Sequence, residues 1–357
     1  MSLRIGYSMW GFLGPGVLDT PDGSRSYRRA VVDGLTAAGH KLMFLQHDRD
    51  RLEAGDHVAG FCWDPGLPVI DVLMLEWRWP LAGRNDSACG SPGHTCDLHR
   101  QAELLEHYTR QAATPTLVWD LDRQMRPDDA LRGLPNVTVA DFAFLQQPGV
   151  VTLPCPVPDE LLDSANPAVL VASRRPVDLV YVGNQYDRDD AFDTYFAPAA
   201  RRLVHQVAGK WPRVERWPQV TFTGRAAYPE VAAIHGRSLA TVLLLPDRYA
   251  RVAAMTSRLF EAVTAGCAPL ATQELAMDGV FVPPELHVAS GADVVERVRW
   301  LRRIQGTAQH AEVLIRCLQR LEPFRVSRQV AVLDRLLCSM AGSSQPCIDP
   351  TAAPVRS

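Results

Sequence analysis

Hydrophobic positions along the chain follow two spacings that alternate. Short, mainly apolar runs stand at residues 3–7, 41–45, 69–75, 116–119, 137–140 and 150–153. Such runs suit strands buried on both faces. Between them, apolar residues recur three and four apart, as at Tyr27, Val31, Leu35 and Ala38 within 24–38, and again over 101–112. That spacing predicts helices with one buried stripe, the first closed by Gly39. Strands separated by helices pair in parallel, because each crossover takes a dozen residues or more.

The alternation pauses at Leu153-Pro-Cys-Pro-Val-Pro158, where three prolines in alternate positions make a stiff, extended segment. It then resumes, with strands expected at 178–182, 220–222, 240–245, 269–272 and 288–289. Helices are expected over 192–207, 228–234, 256–266, 293–303, 311–321 and 329–340. The pattern divides the chain into a domain at 1–153, a connector at 154–176, a second domain at 177–325, a helix at 326–341 and a tail at 342–357 expected to be disordered. The predicted fold class is α/β: two Rossmann-like, doubly wound units in series with a cleft between them.

Composition narrows the picture. With 357 residues, 47% hydrophobic and a net charge of −3, the chain is neither a disordered polymer nor a basic nucleic-acid binder. No nucleic-acid partner is expected. No apolar run reaches the roughly 20 residues needed to span a bilayer, and no cleavable leader precedes the first strand, so a soluble cytoplasmic protein is expected. Eight cysteines are scattered, with Cys155, Cys267, Cys317 and Cys338 inside apolar runs, as reduced thiols pack. Cys89, His94, Cys96 and His99 cluster in Gly/Ser/Pro-rich loop sequence, but their spacing matches no paired zinc-ligand pattern, and no metal site is assigned. Lysine occurs only at Lys41 and Lys210, neither in a Gly-Lys-Ser/Thr phosphate loop, which removes P-loop nucleotidases. Arginine supplies the rest of the positive charge, a bias that suggests a GC-rich bacterial genome.

Ligands of open parallel sheets bind beyond the carboxyl ends of the strands. In the second domain those ends carry Gly183-Asn184, Thr223-Gly224-Arg225 and the segment from Met255 to Gly266. Thr256 and Ser257 are expected to cap a helix whose buried stripe is Leu259, Phe260 and Val263, with Gly266 as its left-handed stop. A helix start with hydroxyls and Arg258 suits a diphosphate. Glu261, one turn deeper, repels phosphate but can accept two hydrogen bonds from the vicinal hydroxyls of a ribose. A capped amphipathic helix with a solvated glutamate is the other reading of the same residues.

The block Thr-Ser-Arg-Leu-Phe-Glu-Ala-Val-Thr-Ala-Gly-Cys-Ala-Pro-Leu at 256–270 resembles the nucleotide-sugar signature of GT-B glycosyltransferases, and within them the spore-maturation-type branch. Val180-Tyr-Val-Gly-Asn184 resembles that branch's first donor-domain strand, Thr223-Gly-Arg225 its base-side loop, and Trp119-Asp-Leu-Asp122 a run of its acceptor domain. The resemblance implies two facing Rossmann-like domains, with the C-terminal helix crossing back toward the first. It implies transfer of a sugar from a UDP-, GDP- or dTDP-sugar to a hydroxyl acceptor, such as a specialised metabolite or cell-surface glycan, with no metal or other cofactor. It assigns Glu261 to the donor ribose, Thr256 and Ser257 to the diphosphate, and Gly183 to close backbone approach. Asn184, Thr223 and Gly224 belong to the same donor edge, and Arg225 and Arg258 neutralise the departing diphosphate. Many retaining members carry a second glutamate eight positions before the ribose-binding one; here that position is Ala253, so the stereochemical outcome stays open.

An inverting reaction needs a general base from the first domain. Glu76, beyond a long apolar strand and beside Trp77 and Trp79, is one candidate; Asp120 and Asp122, after the strand at 116–119, are two more. Asp19 and Asp22 stand in a Gly/Pro-rich loop that suits solvated turn formers. The two tryptophans could stack on an acceptor or cover a domain edge. Two rival functions follow from the same architecture: a nucleotide-sugar binder without catalysis, and an NAD-dependent oxidoreductase. The second lacks its fingerprint, since Gly11, Gly14 and Gly16 lie about eight residues ahead of the helix and Gln46-His47 replaces the expected ribose acid.

Overall fold

The computed structural model describes residues 2–9, 11–14, 28–145 and 147–342. Asp19, Asp22 and the expected tail beyond 342 lie outside the described residues. Among the described residues, no helix is long and apolar enough to cross a membrane. The chain folds as two compact units. One comprises the described residues of Met1–Phe142, Gln146–Pro156 and Val326–Ser357; the other comprises Ala143–Leu145 and Val157–Arg325.

The first unit is built on seven parallel strands: β1 Arg4–Ser8, β2 Lys41–Phe44, β3 Cys62–Trp63, β4 Val72–Glu76, β5 Thr116–Trp119, β6 Val137–Asp141 and β7 Val150–Thr152. They lie in the order β3-β2-β1-β4-β5-β6-β7. Successive side chains point to opposite faces of a strand. Accordingly Val72 and Met74 join Ile5, Tyr7 and Phe44 in one core cluster, while Leu73 and Leu75 join Val118 and Leu104 in another. The first cluster is closed by the helices Arg28–Ala37 and Val326–Met340. These two approach so closely that a Cβ on Gly34 would stand 2.4 Å from Val330 Cγ2. His40 Nε2 donates to Asp334 Oδ1 at 2.9 Å in the same dry interface, and its Nδ1 accepts from Leu3 N–H at 3.3 Å.

The second unit carries five parallel strands: β8 Val177–Val182, β9 His205–Ala208, β10 Ser238–Val242, β11 Ala268–Thr272 and β12 His287–Val288. Their order is β12-β11-β10-β8-β9. The helix expected over 192–207 ends at Ala200, and 205–208 pairs with β8 as a strand instead. Helical spacing extends across that boundary, but the available edge of β8 outweighs it. The strand expected at 220–222 shrinks to one parallel bridge, Val207 to Phe222, at the outer edge of β9. The proline-rich segment continues into two short helices, Asp159–Asp163 and Pro167–Ala172. The helix Arg49–Ala54, capped by Asp48 and stopped by Gly55 at φ +70°, carries no strong apolar stripe in the sequence.

Candidate functional site

In the second sheet the chain winds from β8 to β9 on one side and then to β10 on the other, so its direction reverses at β8. A crevice opens beyond the carboxyl ends of the strands at such a reversal. Two segments meet there. Arg258, at the start of the helix Arg258–Thr264, reaches across to donate from Nε to the carbonyl of Val182 at 3.0 Å and from Nη1 to Thr256 Oγ1 at 3.3 Å. Gly183 lets this happen. A Cβ there would stand 2.7 Å from Arg258 Nε and 2.9 Å from both Arg258 Nη2 and Tyr181 Oη. Any side chain would therefore push the guanidinium away.

A second cation stands at the same place and escaped the sequence reading. Arg188, 5% exposed, donates to the Tyr186 carbonyl at 2.8 Å and to the Tyr181 hydroxyl. The guanidinium carbons of Arg188 and Arg258 each stand 5.9 Å from the centroid of the Tyr181 ring. Among the described residues neither arginine forms an ion pair with a carboxylate; their partners are carbonyls and hydroxyls. Burial lowers the pKa of Arg188, and the charge of Arg258 adds to the shift. Burial pushes the Tyr181 phenol up, but the two guanidiniums outweigh it and the net shift is downward. His235 is driven down to about 4 by burial, with help from Arg258, and is neutral at pH 7. Buried charges are normally paired with opposite ones, whereas these two like charges share one aromatic ring.

Backbone stitching brings the other nominated residues to this edge. Asn184 Oδ1 accepts from Lys210 N–H at 2.8 Å, and Trp211 Nε1 donates to the Gly183 carbonyl at 2.8 Å. Gly209 N–H donates to the Gly224 carbonyl at 2.8 Å, and Thr223 N–H to Val207 at 2.9 Å. The crossing is tight: a Cβ on Gly209 would stand 2.1 Å from the Gly183 oxygen. Phe192 anchors the loops from beneath, its ring centroid 4.6 Å from that of Trp211 and 4.8 Å from that of Trp217. Arg225 is exposed in the loop that follows Gly224.

The helix itself departs from expectation. Ser257 stands at the N-cap with helical dihedrals (φ −53°, ψ −22°), and its hydroxyl caps no amide. The Thr256 hydroxyl accepts from Arg258. The helix has only 7 residues, too short for a large end charge, so positive potential here comes from side chains. Glu261 lies half-buried on its first turn, its amide bonded to the Ser257 carbonyl at 2.9 Å. Gly266 is the left-handed stop at φ +74°, with Arg175 Nη2 filling the space a Cβ would need. Ala253, where a second glutamate was missed, is fully buried at φ +55° and accepts from Phe144 N–H at 3.2 Å.

In the first unit the winding reverses between β1 and β4, and Glu76 stands there. Glu76 is 2% exposed and its oxygens are engaged, by Tyr7 Oη at 2.6 Å, Arg28 Nε at 2.7 Å and Arg78 Nη2 at 3.2 Å. Burial and the Glu76 charge hold the Tyr7 phenol well above its ordinary range. Asp120, 3% exposed, accepts from the amides of Gln124 and Met125, both at 2.9 Å, and so clamps a turn. Burial raises its pKa against those bonds, with Asp122 and Asp141 adding to the rise. Asp122 is only half-buried, and its charge acts on Arg78. Trp77 packs against the core cluster of Leu73 and Leu75, and the Trp79 carbonyl accepts from Asn85. A depression of about 790 Å³ in the second unit, between His287, Asp293, Arg297 and Trp300, contains none of the nominated residues.

No protein-family model matches the sequence, and no curated protein does. Solved structures do match, over nearly the whole chain. The T4 phage β-glucosyltransferase in complex with UDP and Mn²⁺ superposes with a TM-score of 0.66 at 11% identity, covering 94% of this chain and 99% of that one. AviGT4, a glycosyltransferase involved in avilamycin A biosynthesis, gives 0.57 at 13%, covering 95% and 98%. An α-glucosyltransferase in complex with UDP-glucose and DNA containing an abasic site gives 0.59 at 10%, covering 91% and 96%. The fold is that of GT-B glycosyltransferases; the spore-maturation-type branch is not singled out. The expectation of no metal cofactor is corrected by the T4 enzyme, which is held with Mn²⁺ as well as UDP. Mn²⁺ favours carboxylate oxygens. Among the described residues, groups of three or more metal-binding side chains occur only in the first unit, and the edge beside Gly183 presents arginines. Those residues do not fit a protein-held Mn²⁺.

Proposed function

We propose that the chain is a glycosyltransferase that moves a sugar from a UDP-sugar to a hydroxyl acceptor. The observation that carries this reading is the pair of cations, Arg188 and Arg258, gathered on Tyr181 at the winding reversal without a carboxylate partner among the described residues. Fold likeness to enzymes held with UDP or UDP-glucose supports it. As the glycosidic bond to the diphosphate breaks, negative charge grows on the leaving oxygen. Guanidiniums already fixed by Val182, Tyr181 and Tyr186 would stabilise that charge without reorganising. Gly183 keeps the backbone open to the nucleotide, and Glu261 accepts from the ribose hydroxyls.

Of the three first-unit acids, Asp122 suits acceptor activation. Glu76 and Asp120 are nearly inaccessible, whereas Asp122 is only half-buried. The net charge of −3 gives no field for a polyanion, so a neutral small-molecule or glycan hydroxyl is favoured over DNA as acceptor. Incubation with radiolabelled UDP-, GDP- and dTDP-sugars tests the reading. Slow hydrolysis of the UDP-sugar, abolished in Arg258→Met and reduced at least tenfold in Asp122→Asn, is expected. Tight binding without turnover would identify a non-catalytic nucleotide-sugar binder, and no binding of any donor would end the proposal.

A further inference from the structure

We infer that Cys89, His94, Cys96 and His99 form a structural zinc site, independent of the donor-site reading. Their ligand atoms all lie within 4.8 Å of one another. A tetrahedral zinc with bonds of about 2.3 Å to sulfur and about 2.0–2.1 Å to nitrogen sets ligand-to-ligand edges of roughly 3.3–3.8 Å. The four groups therefore need to close by an ångström or so. His99 Nδ1 and Cys89 Sγ, now 2.8 Å apart, would open to roughly 3.5 Å around the ion. Independent evidence comes from His94. Its Nδ1 is held by Ser87 Oγ at 3.0 Å, while its Nε2 is buried with no hydrogen-bond partner. Metal-bound histidines are oriented in this way, one ring nitrogen on a neighbouring oxygen and the other left with its lone pair for the ion.

The ligand set selects the ion. Two thiolates with two imidazoles in tetrahedral array favour zinc, while hard cations such as Mn²⁺ prefer oxygen. Four protein ligands leave no open position, so the ion braces structure and performs no chemistry. What it braces is the long segment between β4 and the helix Asp97–Leu104, which has no strand or helix of its own. Cys96 stands at the N-cap of that helix and His99 in its first turn, while Cys89 and His94 sit in the preceding loop, turned by Gly90 at φ +82° and Gly93 at φ +77°. The ion would tie loop to helix. It would thereby steady Arg78, whose amide and carbonyl are both bonded to Gln101 of the same helix, and so the ion pair to Glu76.

The full chain, purified without chelator, is analysed for metal by mass spectrometry. About one zinc per chain is expected. Cys89→Ser and Cys96→Ser should each lose it, and Cys62→Ser, an exposed thiol on β3, should keep it. A second readout does not depend on a variant folding. Replacing zinc by Co²⁺ in the unaltered protein should give tetrahedral d–d bands with thiolate charge-transfer absorption, and chelation should raise hydrogen exchange across 81–99 while leaving the second unit unchanged. The inference is overturned if the unaltered chain retains no zinc after zinc dialysis, if Co²⁺ gives no thiolate absorption, or if Cys89 and Cys96 are found joined as a disulfide.

Discussion

Arg258→Met is the most informative perturbation of the donor edge, because it separates binding from folding. The guanidinium makes two hydrogen bonds, to the Val182 carbonyl and to Thr256. Losing them costs about 0.5–1.5 kcal/mol for each net hydrogen bond. Against that, the variant relieves the repulsion between Arg258 and Arg188, which share one aromatic ring in a dry setting. The two effects oppose each other, so the ligand-free protein should change in unfolding free energy by about 1 kcal/mol or less. Binding has no such offset. A charge-assisted contact to a diphosphate contributes about 1.5–3 kcal/mol, so UDP affinity should fall roughly ten- to 150-fold. Isothermal titration at low and high salt measures this, and the variant should show a flatter salt dependence because one cation has gone. Parent-like affinity would refute the reasoning, as would a loss of binding that merely follows a large loss of stability.

Gly183→Ala should displace the Arg258 guanidinium, whose Nε would face the new Cβ at 2.7 Å, and weaken UDP binding at least tenfold; Gly224→Ala, with open space around it at φ +77°, should cost only about 1 kcal/mol of backbone strain. Fluorescence titration with UDP compares the pair. Gly34→Ala should cost about 1–3 kcal/mol in urea unfolding, through overpacking against Val330, and Asp334→Ala a similar amount by leaving the buried His40 N–H without its acceptor. His235 and His310 are both pushed down to about 4, chiefly by burial, from an ordinary 6.5. Between those values the unfolded chain binds a proton at each that the folded chain refuses. Stability should therefore be intact above pH 6.5 and fall on acidification by about 1.4 kcal/mol per pH unit for each histidine. Urea midpoints at pH 7 and pH 5 test this, and His310→Gln should halve the slope.

Period and punctuation determined much of this protein. Apolar runs such as 116–119 and 178–182 are buried strands because nothing but a two-sided core accommodates them, and the parallel α/β class follows from the helices between. The residues proposed for the donor edge were nominated by a related argument: a strand end is where a parallel sheet leaves room for a ligand, so Gly183, Thr223 and Arg258 were named by position. Boundaries decided by partners were not legible. Residues 205–208 become a strand only because β8 offers an edge, and 220–222 lose theirs because that position lies beyond the sheet's rim.

Long-range juxtaposition lay wholly with the tertiary structure. Arg188 stands five residues past Gly183 in a polar loop, and only the fold turns it onto Tyr181 beside Arg258. Glu76 reads as a candidate base until Tyr7, Arg28 and Arg78 close around it. The spacing of Cys89, His94, Cys96 and His99 matches no familiar ligand pattern, yet two left-handed glycines and a helix start converge them within reach of one ion. Sequence carries periodicity because each residue's face is set by its near neighbours; it does not carry these meetings, because charge and coordination act through space between groups the chain separates.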